Sequence, residues 1–96
     1  MFYTFSKPSY DQQQLQCYWQ QINAQDAVLF WQDGIWALLK YAPQLSACPA
    51  TIYLLENDLT ARNLIVEQFA PHLAVKVINL TEWVRLTERY SPQLAL

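Results

Sequence analysis

The order of segments along this chain predicts an α/β fold, a three-layer sandwich around a mainly parallel sheet of four to five strands. Three observations carry that prediction. The runs Ala27-Val28-Leu29-Phe30-Trp31 and Thr51-Ile52-Tyr53-Leu54-Leu55 are apolar without alternation, as strands covered on both faces are. Segments between such runs repeat their apolar residues at helical spacing. With 96 residues, 53% of them apolar, the chain has enough material for one core and too little for two, so 1–96 reads as a single domain.

The first strand is the β-prone run Phe2–Phe5, stopped where Pro8 forbids a continued central strand. A helix over residues 11–23 follows, because Leu15, Tyr18, Trp19 and Ile22 recur at i, i+3, i+4 and i+7. The second strand, residues 27–31, ends at Asp33-Gly34. A helix over residues 35–41 comes next and is ended by Pro43, and a loop through Gln44 and Pro49 leads to the third strand, Thr51–Leu55. Asn57 or Asp58 then caps a short helix through Arg62. Residues 74–78 form a weaker fourth strand, in which Lys76 points to one face meeting solvent. Thr81 caps a last helix with Trp83, Leu86 and Tyr90 on its apolar stripe and Arg85, Glu88 and Arg89 pointing away; Pro92 stops it.

Composition narrows function further. The net charge is −2 with scattered cations, so no stripe exists to hold a nucleic-acid backbone. One glycine excludes the phosphate-binding loops of nucleotide and flavin sites, so no cofactor is expected. Two cysteines without a C-x-x-C pair, and the single His72, make neither a metal site nor a disulfide framework. No apolar run approaches a membrane span, and the first residues lack the pattern of a signal peptide, so a reducing, cytoplasmic location is expected. Fourteen aromatic residues (four Trp, six Tyr, four Phe) exceed what so small a core shelters, which points to a partner chain.

Three stretches taken together, Val28-Leu29-Phe30-Trp31-Gln32-Asp33-Gly34-Ile35, Leu54-Leu55-Glu56-Asn57-Asp58-Leu59-Thr60-Ala61-Arg62 and Trp83-Val84-Arg85-Leu86-Thr87, resemble the TusB/DsrH family of small sulfur-relay subunits. The resemblance covers nearly the whole chain. It implies a flavodoxin-like fold of the DsrE/DsrF/DsrH type and assembly with TusC-like and TusD-like homologues into a heterohexamer of two heterotrimers. It further implies a cytoplasmic complex that takes persulfide sulfur from a TusA-like carrier and passes it to a TusE-like one, toward 2-thiolation of the tRNA wobble uridine. Dsr-type relatives instead serve sulfur oxidation.

In the sulfur-carrying subunit of that family the active cysteine follows the third strand, ahead of an Arg-Gly. Here the stretch is Leu55-Glu56-Asn57-Asp58, without a thiol, and the family's Ala-Arg-Gly becomes Ala61-Arg62-Asn63. Asn tolerates positive φ best after glycine, so the helix end is expected to survive. The chain therefore reads as a structural, non-catalytic subunit of a sulfurtransferase complex.

Individual residues have competing readings. Asp33-Gly34 reads as an N-cap and the glycine of a tight turn rather than a catalytic pair. Glu56 and Asp58 suit capping and the helix dipole better than acid–base work. Trp31, Trp36 and Trp83 belong to core or interface, at least one of them to interface. His72, after Pro71, reads as an exposed loop residue. Cys17 lies opposite the apolar stripe of its helix and is the candidate sulfur acceptor; some DsrH-type relatives carry a cysteine near this place. Cys48 is a weaker candidate. A self-contained small-molecule binding domain, or a free-standing thiol enzyme using Cys17, is the alternative from a different class.

Overall fold

Five parallel strands in the order β4-β3-β2-β1-β5 form the centre of the computed structural model, which describes residues 1–65 and 73–96. Along the chain run β1 (Phe2–Phe5), α1 (Gln12–Gln21), β2 (Ala27–Phe30), α2 (Gly34–Lys40), α3 (Ala42–Leu45), β3 (Thr51–Leu55) and α4 (Glu56–Ala61). After the undescribed residues come β4 (Val75–Ile78), α5 (Leu80–Arg89) and β5 (Gln93–Ala95). His72 lies outside the described residues.

The strand order explains the distribution of helices. From β1 to β4 each step moves the same way across the sheet, so right-handed connections put their helices on one face. The return from β4 to β5 runs the other way and carries α5 to the opposite face, the one described helix there. Two separate cores result. On the first face, Phe5, Val28, Phe30, Ile52 and Leu54 meet Leu15 of α1, Ile35 and Leu38 of α2 and Leu59 of α4. On the second, Phe2, Ala27, Leu29, Tyr53 and Ile78 meet, among the described residues, Leu86 of α5, with Trp31, Trp83 and Tyr90 half-buried around them. The three-layer α/β sandwich is thus present, with unequal outer layers.

Where local signals and structure differ, the competing chemistry is visible. Pro43 does not end the helical region: it occupies the first turn of α3, where its missing N–H costs nothing. Neither Asn57 nor Asp58 caps α4; the helix starts at Glu56, directly off β3, and its N-cap position is Leu55. Thr81 does not cap α5. Asn79 does, in a reciprocal capping box with Glu82: Asn79 Oδ1 accepts from the Glu82 N–H at 2.9 Å, and Glu82 Oε1 accepts from the Asn79 N–H at 3.1 Å. At α1 the cap is Asp11, which accepts from the Gln14 N–H.

The fifth strand is short and half-exposed, and it locks the C-terminal end beside β1. Phe2 N–H donates to Pro92 O at 3.0 Å and Leu96 N–H to Thr4 O at 2.8 Å. A buried carboxylate that the sequence did not announce, Asp26, takes the Met1 ammonium on Oδ1 at 2.8 Å and the Asn23 N–H on Oδ2 at 2.9 Å. Burial pushes this carboxyl up, but the ammonium and the Asn23 N–H together outweigh it and hold it below its ordinary value.

Candidate functional site

In parallel sheets, ligands collect beyond the carboxyl ends of the strands, because there the helix-leading turns present side chains and free backbone groups. At this end lie Gln32-Asp33-Gly34 after β2 and Glu56-Asn57-Asp58 after β3. They are brought together by Arg62, at the end of α4. Its Nη2 donates to Asp33 Oδ1 at 2.9 Å, while Nη1 donates to the Asp58 carbonyl at 3.1 Å and lies 3.6 Å from Asp58 Oδ1. Asp58 Oδ2 accepts the Gln32 N–H at 2.7 Å.

Both Asp58 oxygens are therefore engaged, one by a backbone donor and one by a guanidinium. Such a carboxylate is a clamp between two turns, not a free base. Asp33 stands at the N-cap position of α2 but makes no capping hydrogen bond, since its side chain is turned to Arg62. Gly34 is needed for a reason other than a tight turn. Its φ is not positive, and a Cβ built there would sit 2.0 Å from the Phe5 carbonyl oxygen and 2.8 Å from its carbon. The left-handed residue of this turn is Gln32, with φ 52°. Asn63, at φ 53°, terminates the α4 region in the left-handed conformation its side chain tolerates.

The stretch that follows β3 holds no thiol, and the two cysteines lie elsewhere. Cys17 is exposed on α1, as its position opposite Leu15 requires. Cys48 is partly buried at the opposite end of the sheet, in a cleft of about 450 Å³ that also touches Ala50, Leu73 and Val75. Burial pushes its thiol up, and Asp26 adds to this against the Ala50 backbone N–H, so at neutral pH it is a protonated, weak nucleophile.

Of the tryptophans, Trp36 is 41% exposed, whereas Trp31 and Trp83 meet edge to face with ring centroids 4.9 Å apart. The Trp31 Nε1–H is shielded from solvent and has no acceptor among the described residues. No group of three or more His, Cys, Asp or Glu side chains that could hold a metal ion occurs among the described residues. No described helix is long and apolar enough to cross a membrane.

The family model described as DsrH like protein matches residues 7–93. The chain belongs to the TusB/DsrH family. A Haemophilus influenzae protein of uncharacterized function is 38% identical over 97 residues, with all of both chains covered. Protein TusB of Cronobacter sakazakii is 32% identical over 98 residues, covering 99% of each chain. A Thermotoga maritima protein solved by solution NMR superposes with a TM-score of 0.59 over 92% of each chain at 21% identity, which supports the fold. TusB/DsrH membership makes this chain one of a sulfur-relay family.

Missed in the sequence was the role of Arg62, which unites Asp33 and Asp58 across 29 and 4 residues. The spacing of Asp58 and Arg62 at i, i+4 on a short helix was its only local signal.

Proposed function

We propose that this chain is the TusB-like, non-catalytic subunit of a cytoplasmic sulfurtransferase complex, relaying persulfide sulfur toward 2-thiolation of the tRNA wobble uridine. The observation that carries the reading is the clamp after β3: where the family's sulfur carrier has its cysteine, this chain has Asp58 held by Gln32 and Arg62. Sulfur transfer needs a thiolate, and anionic neighbours disfavour one. The persulfide then resides on a homologous TusD-like or TusC-like subunit, and this chain completes a heterohexamer of two heterotrimers. TusA-like and TusE-like carriers meet the complex rather than this chain alone. No direct contact with RNA is part of this role, since a chain of charge −2 has no basic surface to neutralise phosphates.

The exposure of Cys17 favours a second reading, in which a DsrH-like subunit of sulfur oxidation accepts sulfur on that thiol. One experiment separates the two. The native complex is purified from its own cells, weighed with its partner chains, loaded with a persulfide donor and examined by mass spectrometry. The structural reading requires co-purifying homologues and an unmodified Cys17, with transfer unchanged in Cys17→Ser. An added sulfur on Cys17, together with lost transfer in the serine variant, overturns it.

A further inference from the structure

We propose that the outer edge of β4, with the groove between it and α5, receives an extended acidic segment of a partner polypeptide as an added strand. No described strand pairs with that edge. The strand is unusually open for part of a parallel sheet: Lys76 is exposed, Val77 is 38% exposed, and only Ile78 is buried.

Beside it lies a groove of about 580 Å³, with Tyr53, Ile78 and Leu86 as its apolar wall and Lys76 and Arg85 as its cations. Neither cation makes an ion pair with a described residue. The one carboxylate in the lining, Glu82, is engaged in the capping box with Asn79. The groove therefore has apolar surface and an excess of positive charge, which an anionic chain complements.

A lysine on an edge strand ordinarily deters pairing between copies, because like charges directly opposite destabilise a sheet. That disfavours a second β4 as the occupant. It does not exclude an acidic strand, for which Lys76 changes from obstacle to partner. Side chains alternate along a strand, so Lys76 and Ile78 project to the α5 side while Val75 and Val77 project to the other. The fitting segment alternates accordingly, with acidic residues on the α5 side toward Lys76 and Arg85 and apolar residues on the opposite face beside the exposed Val77. Main-chain pairing supplies affinity and the charges supply selection, the usual division in strand addition. This docking is independent of which route the sulfur takes.

The test titrates the full chain with an alternating Val-Asp peptide and with its Val-Lys counterpart. It then repeats both with the double variant Lys76→Glu/Arg85→Glu, after circular dichroism has confirmed its fold. Hydrogen exchange locates the contact. The expected result is binding of the Asp peptide alone, new protection at residues 75–78, and a loss of about tenfold or more in the double variant, with preference shifted to the Lys peptide. Absence of Asp-peptide binding, equal binding of both peptides, or protection elsewhere on the sheet would overturn the proposal. Because the titration uses no sulfur donor, its failure leaves the sulfur-relay reading standing.

Discussion

Arg62 and Asp33, 29 residues apart in sequence, meet at 2.9 Å and tie the turn that follows β2 to the end of α4. The strength of this clamp is unevenly shared. Asp33 is largely exposed, with 60% of its side chain accessible, whereas Asp58 on the other side of Arg62 has 18%.

Replacing Arg62 with Ala should cost about 1 kcal/mol, mostly by leaving the half-sheltered Asp58 carboxylate short of a donor. Asp33→Asn should cost less, roughly 0.5 kcal/mol or under, since an exposed ion pair contributes little. Urea unfolding of the two variants checks the order, and a larger loss for Asp33→Asn would contradict the uneven clamp.

Gly34→Ala should be the most damaging single methyl group in the molecule. Its Cβ would lie 2.0 Å from a backbone oxygen of β1, which cannot rotate away. A loss on the order of 3 kcal/mol follows, or failure to fold. Retained thermal stability in that variant would refute the close approach of α2 to β1.

The two left-handed residues make a paired comparison. Gln32→Gly relieves a conformation that glutamine tolerates poorly, and the Gln32 N–H that meets Asp58 is a backbone group that survives the change. A gain of roughly 0.5 kcal/mol is expected after the entropy of the unfolded glycine is subtracted. Asn63→Gly should be nearly neutral, because Asn already accepts this geometry. Equal effects at both sites would show that side-chain type does not set the strain.

Stability should fall at both ends of the pH range, for different groups. Asp26 is held below its ordinary value, so its contribution is present above the unfolded carboxylate range and is lost as pH falls through the folded value. Asp26→Asn should cost about 1–3 kcal/mol at neutral pH and flatten the acid limb. At the alkaline end, burial raises Tyr3, Tyr10 and Tyr53, whose contribution holds below about pH 10 and is lost as pH rises toward their folded values. Chemical denaturation across pH gives both limbs, and an acid limb unchanged in Asp26→Asn would defeat the assignment.

Much of the fold was legible because burial and periodicity agree. Thr51–Leu55 is buried at every position but the first, and an uninterrupted apolar run signals that. The Leu15, Tyr18, Trp19 and Ile22 stripe is likewise the inward face of α1, though the helix is two residues shorter at its C-terminal end than the pattern suggests. What stayed hidden was set by distant partners. Asn79 outcompeted Thr81 as a cap because Glu82 stands three residues beyond it and completes the box. Asp33 gave up capping for the Arg62 guanidinium, 29 residues away and outside any local window. The β5 strand is three residues with one half-buried, too short to rise above a loop in sequence yet fixed by its register with β1.

The α5 helix over the second face carries its own optical gauge. Indole rings 4.9 Å apart, one at the end of β2 and one on α5, share excited-state coupling that vanishes steeply with separation. Near-ultraviolet circular dichroism of the Trp31–Trp83 pair should thus read the lift of α5 off the sheet directly, while far-ultraviolet signal reports the whole. If that layer opens first on heating, the two traces will part company below the main transition. The Trp31→Phe variant would then lose the early trace and keep the late one.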